Sequence, residues 1–289
     1  MNIAVFSVVH PKAFPYFKDF LFSLATQTNK DFSLFLVNDG TPGVEETIHQ
    51  YNLNVVLRNL SGTPSAIRKS AIEWILSQSA DIIIFADTDD CFMNNRIEIC
   101  KSNLLNYSIM FNELILIGDN ITHAIPMLGK RFKNNEIISL NNIKYSNCMG
   151  FSNTAIKTKV IPKSVFQIPD DIIAFDWAFF SLCMQEELKA VFTKQTATYY
   201  RQHNDNIASP QSFTEDQILR GVRVKRDHYR FISRIDAQYE SLSNQFSALF
   251  EKLSGDVSFR NTYCESVKDK TPQNLLWWES IKSLEELAL

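Results

Sequence analysis

The sequence predicts an α/β protein built on a mainly parallel sheet, covered by helices on both faces and followed by a helical C-terminal region. Two observations carry that prediction. Over the first 120 residues, short apolar runs alternate with longer stretches of helical spacing, the pattern of repeated strand–helix–strand units. From Thr214 onward the pattern is helical to the end, with breaks near Ser254-Gly255 and Thr271-Pro272.

The elements follow in order. The run from Ile3 to Val9 (IAVFSVV) is a first strand ending at His10-Pro11. Phe14 to Thr26 places Phe17, Phe20, Leu21 and Leu24 at helical spacing. Phe32 to Val37 is a second strand, closed by the turn signal Asn38-Asp39-Gly40-Thr41-Pro42-Gly43. A short helix over Val44 to Tyr51 leads to a third strand, Leu53 to Leu57. Pro64 to Ser77 is an amphipathic helix with proline in its first turn. Ile82 to Ala86 is the most apolar strand, and Asn94 to Leu105 a further helix. The middle of the chain gives strands at Leu114 to Gly118 and Val191 to Tyr200, a helix from Ile173 to Glu187, and an Asn-rich stretch without a clear pattern. The division between body and C-terminal region falls near residue 210. In sheets of this kind ligands gather beyond the carboxyl ends of the strands. Four of those ends are polar here: His10, Asn38-Asp39, Arg58-Asn59, and Asp87 to Asp90.

Composition narrows the function. An apolar content of 45%, with 22 Phe and 9 Tyr against 8 Gly, supports a sizeable core and excludes low-complexity character. A net charge of -3 argues against a nucleic-acid binder, which needs a basic field. The basic stretch from Arg220 to Arg234 is read either as a solvated helix face or as a surface for an anionic headgroup or phosphate. Cys91, Cys100, Cys148, Cys183 and Cys264 are dispersed, which suggests reduced thiols in a cytoplasmic setting, with neither a zinc site nor a disulfide framework. The N-terminus lacks a basic leader, and no apolar run is long enough for a membrane span. The motifs of P-loop enzymes, of GxGxxG dinucleotide binders and of GxSxG hydrolases are absent.

The chemistry concentrates in Asp87-Thr88-Asp89-Asp90. Three carboxylates within four residues at the end of a buried strand repel one another. A hard divalent cation, Mg2+ or Mn2+, is their natural partner, and such ions commonly also hold substrate phosphates. Helix capping is the competing reading, and it accounts for Asp90 best.

The segments around this cluster resemble the family 2 glycosyltransferases, whose DxD motif ends a buried strand. The opening IAVFSVVHP and the stretch SLATQTNKDFSLFLVNDGT are similar to that family's first two strands. Ser61 to Lys69 is similar to its Gly-rich turn, the cluster to its DxD, and Phe175-Asp176-Trp177 and Tyr200 to His203 to later motifs. The resemblance runs in order over about residues 1 to 105 and returns weakly beyond them.

What it implies is a GT-A nucleotide-sugar-binding fold, Rossmann-like, over residues 1–210. Within it residues 1–120 would form the nucleotide-binding half and 121–210 the acceptor half, with 211–289 a C-terminal helical region. It further implies an inverting, metal-dependent glycosyltransferase that moves a sugar from a nucleoside-diphosphate donor, foremost a UDP-sugar, to a hydroxyl on a glycan or lipid-linked acceptor. The setting would be the cytoplasm, with peripheral association at the inner membrane face as an option.

Residue by residue, Asp39 would hydrogen-bond the base of the donor, the alternative being a turn-forming role before Gly40. Arg68 would add positive potential beside the nucleotide, the alternative being a plain surface position. Asp87 would contact the ribose or a metal-bound water, and Asp89 would be the main metal ligand. Asp176 is the first candidate for the catalytic base, with Asp171 second; Asp170 and Asp171 are otherwise helix-capping acids. Arg201 would neutralise diphosphate. His203 would close over the metal or the phosphates, the alternative being an ordinary polar loop residue.

Departures from the family are His10-Pro11 in place of Tyr-Asn, Lys69 in place of Asn, and Phe175 in place of Glu. Two rivals stand beside this reading. A nucleotidyltransferase would need a basic Gly-rich N-terminal loop, which Val8 to Lys12 does not supply. A non-catalytic binding module would not need Asp87, Asp89 and Asp176.

Overall fold

The computed structural model describes residues 1–118, 125–185, 187–202, 214–270 and 281–287, with side chains of 269, 270 and 287 excepted. The N-terminal strands are β1 (Ile3–Val9), β2 (Ser33–Asn38), β3 (Val55–Asn59) and β4 (Ile82–Phe85). Between them lie α1 (Phe17–Ala25), α2 (Val44–Ile48) and α3 (Pro64–Ser77). Then come β5 (Cys91–Phe92), α4 (Arg96–Asn106), β6 (Ile109–Gly118), β7 (Ile125–Pro126), β8 (Ile137–Ile138), α5 (Leu140–Ile143) and β9 (Thr154–Lys157). The chain continues through α6 (Phe175–Cys183), β10 (Ala190–Gln202), α7 (Glu215–Ile232), α8 (Glu240–Gly255), α9 (Val257–Lys270) and α10 (Leu284–Leu287).

One mixed sheet organises the molecule, in the order β3-β2-β1-β4-β9-β6-β10-β5, with β7 on β6 and β8 on β10. Strands β3, β2, β1 and β4 are parallel neighbours, as are β6 and β10. β9 runs antiparallel to both β4 and β6, so it joins the two parallel sets. The result is the Rossmann-like, mainly parallel arrangement expected from the alternating pattern.

The pleat sorts side chains onto two faces, because successive residues of a strand point to opposite sides. Ile82 and Ile84 pack with Phe17, Phe20, Leu21, Ile97 and Leu104, under α1 and α4. Ile83 and Phe85 pack with Ile67, Ile72, Phe179 and Phe180, under α3 and α6. Ala86 falls with the first group, and Asp87 continues the alternation toward the α3 and α6 face.

The C-terminal helices share that second core: Val222, Tyr229, Phe246, Leu249 and Tyr263 belong to it. α7 begins with a capping box between Thr214 and Gln217. It ends in a break over 233–236, unmarked by Gly or Pro, where Asp236 caps the following turn through Gln238 N–H at 2.9 Å. The basic stretch is only partly a solvated face. Lys225 is buried and donates to the Ile281 carbonyl at 2.7 Å, and Arg226 lies 3.8 Å from the Phe250 ring centre and pairs with Asp227. Arg220, Arg230 and Arg234 are exposed. The Leu275-Leu276-Trp277-Trp278 segment lies outside the described residues. No described helix is long and apolar enough to cross a membrane.

Differences from the sequence expectation are local. Helix α6 spans Phe175–Cys183, shorter than the stretch from Ile173 to Glu187. No side chain caps it: its N-cap is Ala174, whereas Asp170 pairs with Lys69. β9 lies in the middle region that gave no strand pattern; its four residues are too few to register a period.

Candidate active site

The end of β4 and the loop after it carry the acidic cluster, and its three carboxylates have three different surroundings. Asp87 is half-buried. Burial pushes its carboxyl up to about 6; Arg68 opposes this, the negative charges of Asp89 and Asp176 add to it, and Arg96 opposes it more weakly. Asp89 is also half-buried, and its backbone carbonyl accepts from Arg201 Nε at 2.9 Å.

Asp90 is buried and committed to the fold. It accepts from the Ser152 hydroxyl and, at 2.8 Å, from the Arg201 backbone N–H. Burial, then the charges of Asp89 and Asp87, hold its carboxyl well above the usual range. It does not cap α4, whose N-cap residue is Asn95. The capping account of Asp90 is therefore corrected: the carboxylate pins the loop after β4 to β10 and to the segment before β9.

Beside the cluster sits a buried arginine that no local pattern singles out. Arg96 donates to the Phe85 carbonyl at 2.8 Å and to Asn112 Oδ1 at 3.2 Å, and it lies over the Phe92 ring. Burial lowers its pKa to about 10, which leaves it charged at neutral pH. It fixes the last carbonyl of β4, two residues before Asp87.

Asp176 occupies the first turn of α6, close enough for its charge to act on Asp87. Its Oδ1 accepts from the Trp177 N–H at 2.9 Å and its Oδ2 from Asn147 Nδ2 at 3.3 Å. Burial raises its carboxyl pKa, and Arg68, the backbone N–H groups at the helix start and Asn147 act against the rise. Asp87 and Asp176 thus lie within reach of the same Arg68 charge. Arg68 itself, on α3, stands 5.5 Å from the Phe151 ring centre.

Asp171 is exposed. Asp170 belongs to a set of contacts that ties residues 168–172 to the first turns of α3. Thr63 Oγ1 donates to the Asp170 carbonyl and Ser65 Oγ to the Ile172 carbonyl, both at 2.6 Å. Lys69 donates to the Ile168 carbonyl at 2.6 Å and pairs with the Asp170 carboxylate. Lys69, the departure from the family pattern, therefore has a local role: it anchors the approach to α6.

Tyr200 on β10, which the sequence reading includes only as part of a motif and gives no role of its own, joins the site. Burial, then Asp90, Asp89, Asp87 and Asp176 in turn, push its phenol well above the usual range. Its neighbour Arg201 is engaged differently. The guanidinium pairs with Asp19 at 2.9 Å, holds the Asp89 carbonyl, and lies 4.7 Å from the Tyr16 ring centre. Asp39 follows β2 and its N–H donates to the Val9 carbonyl at 2.9 Å. The turn at Gly40, whose φ is +68°, is closed by Asn38, whose side chain bonds both the N–H and the C=O of Thr41. His203 lies outside the described residues.

Among the described residues no group of three or more His, Cys, Asp or Glu side chains forms a cation site. The donor set that remains, Asp87 and Asp89, fits a Mg2+ or Mn2+ that takes one or two carboxylates and completes its shell from phosphate and water. It does not fit an all-protein cage.

No protein-family model matches the chain, and no curated protein matches it. Solved structures do. The chain is similar to S. aureus TarS residues 1–349 in complex with UDP-GlcNAc, with TM-score 0.63 and 18% identity over 93% of this chain and 76% of that one. It is also similar to the mannosyltransferase PcManGT from Pyrobaculum calidifontis in complex with GDP-Man and Mn2+ (TM-score 0.55, 12% identity, 80% of this chain and 64% of that one). A third likeness is to GalNAc-T7 with UDP, GalNAc and Mn2+ (TM-score 0.57, 13% identity, 91% and 57%). At these identities the likeness is one of fold alone.

Proposed function

We propose that this protein is an inverting, cation-dependent glycosyltransferase of the GT-A type, which transfers a sugar from a nucleoside diphosphate, foremost UDP, to a hydroxyl of a glycan or lipid-linked acceptor. The observation that carries the reading is the convergence of Asp87, Asp89 and Asp176 on one cleft, with Arg68 acting on both sides of it. The shared fold with proteins solved in complex with UDP-GlcNAc or GDP-Man agrees with it.

In this reading Asp39 meets the base of the donor and Asp87 and Asp89 meet the ribose and the divalent ion. That ion would neutralise the negative charge that develops on the departing diphosphate. Asp176 takes the proton of the acceptor hydroxyl as its oxygen bonds to the anomeric carbon and the bond from that carbon to the phosphate oxygen breaks. A single base opposite the leaving group inverts the configuration. Burial raises the basicity of Asp176 above that of an ordinary aspartate, while Arg68 and the helix start limit the rise. Arg201 serves by holding the Asp89 backbone in register with β10.

The test is a thermal-shift panel of UDP-, GDP- and other nucleotide sugars, each with and without Mn2+. Stabilisation by UDP and UDP-sugars that requires Mn2+ is the expected result. No stabilisation by any nucleotide sinks the reading in favour of a non-catalytic module.

A further inference from the structure

The end of β4 and the start of α6 are far apart in sequence, and one segment, residues 147–153, touches both. At its far end the Ser152 hydroxyl donates to Asp90, and the Ser152 carbonyl accepts from Thr198 Oγ1 at 2.9 Å. In its middle the Phe151 ring stacks on Phe85 at 4.1 Å, beneath Arg68. A side chain on Gly150 would begin 3.6 Å from Asp176 Oδ2, so the backbone passes close to that carboxylate. At the near end stands Asn147, 5% exposed, whose Nδ2 lies 3.3 Å from the same Oδ2.

We propose that Asn147 is the positioning residue for Asp176: its amide holds one carboxylate oxygen and so fixes the direction in which the base faces the cleft. This inference rests on the reading of Asp176 as the base. The orientation of the amide is not arbitrary. Asn147 Oδ1 accepts from the Met149 N–H at 3.0 Å, and Nδ2 donates to the Met149 carbonyl. A flipped amide would set oxygen against oxygen and nitrogen against N–H. With both ends fixed, Nδ2 must present a donor to Asp176.

The Trp177 N–H holds Oδ1 and the backbone N–H of Asp176 also acts on the carboxylate, both from the helix start, and a carboxylate gripped from one side can swing about its last torsion. The second grip removes that freedom. It is also a neutral grip: the charged and titratable groups facing Asp176 are Arg68 from α3, Asp87 from the end of β4 and Tyr200 from β10. Asn147 thus orients the carboxylate without adding a second ion pair that would weaken it as a base. No pattern in the Asn-rich stretch distinguishes this asparagine from its neighbours.

The experiment uses Asn147→Asp and Asn147→Ala in the full chain. Aspartate has the same shape and still accepts from Met149, but offers no donor to Asp176; should the alanine variant fail to fold, the aspartate variant carries the test. Two quantities are read: kcat and KM for the donor, and the titration of Asp176 followed by carbon-13 carboxyl resonances. Expected are a fall in kcat of about 10²-fold with unchanged donor KM, and an Asp176 titration moved to higher pH, furthest in Asn147→Asp. An Asp176 titration unmoved in both variants overturns the inference. So does a loss of activity in which donor KM rises with no change in the pH profile. If the parent protein transfers no sugar while the titration still shifts, the transferase reading fails and the hold of Asn147 on Asp176 stands.

Discussion

The two sides of the cleft hold buried carboxylates by opposite means. At the end of β4, Asp87 is raised to about 6 with Asp89 as a like-charged neighbour, and the third acid, Asp90, is raised further. At the start of α6, each oxygen of Asp176 accepts a hydrogen bond. Burial is the leading cause of the shift at Asp87, Asp90 and Asp176. What differs is the compensation. The β4 side keeps an excess of negative charge that a divalent cation would relieve, whereas the α6 side is balanced from within by a helix start, an amide and part of the Arg68 charge. A carboxylate left wanting a cation is suited to bind phosphate through one. A carboxylate already satisfied and still raised is suited to take a proton.

The largest effect expected from this contrast separates binding from chemistry. Asp176→Asn should lower kcat by about 10²- to 10⁴-fold, the usual reach of a general base. Donor binding with Mn2+, measured by calorimetry, should be unchanged. Asp89→Ala should do the reverse and abolish the Mn2+-dependent part of donor binding. Equal loss of donor binding in both variants would erase the distinction between the two sides.

A smaller effect follows from the sign of the Asp87 shift. Its folded-state pKa lies above the usual aspartate value of 3.8. Between that value and about 6 the folded protein binds more protons than the unfolded one. The metal-free protein therefore loses stability at this group as pH rises through that window. A cation binds the ionised form, so Mn2+ affinity should weaken as pH falls below about 6, by about tenfold per unit for one proton. Calorimetry of Mn2+ with UDP across this range reads the slope, and a flat profile would remove Asp87 from the cation site. Arg68→Gln sharpens the comparison, because the same charge opposes the rise at Asp87 and at Asp176; both titrations should move up together.

How much of this was legible in the sequence depends on the range over which each residue acts. Pro64 to Ser77 is α3 as expected, and Ile82 to Ala86 is β4 to within a residue, because periodicity, proline placement and β-branched runs are local signals. The acidic cluster was legible for the same reason. Asp90 was misjudged because its partners, Ser152 and Arg201, lie 62 and 111 residues away, and only the folded sheet brings them together. Asn147 and Arg96 were missed on similar grounds, and Tyr200 was read only as part of a motif. An asparagine in an Asn-rich stretch, a tyrosine on a strand and an arginine at a helix start have ordinary local explanations. Lys69 looked like a lost family residue until the loop over 168–172 supplied the carbonyl and carboxylate it binds.

The smallest effect tests the contrast inside the cluster itself. Asp90 is 1% exposed and accepts from two donors, one of them the backbone of β10. Asp90→Ala leaves those buried donors without an acceptor, which costs on the order of 1–3 kcal/mol per unsatisfied group. The variant should melt at lower temperature with no ligand present. Asp89→Ala removes a like charge beside Asp87 and Asp90 without breaking a side-chain bond to Ser152 or Arg201 N–H. Its ligand-free melting temperature should fall less than that of Asp90→Ala, and the Mn2+-dependent stabilisation should be lost. If the two variants behave alike in the absence of ligand, adjacent aspartates do not divide into one that holds the loop and one that faces the ligand. The opposite result would show that the third carboxylate is retained to aim the other two.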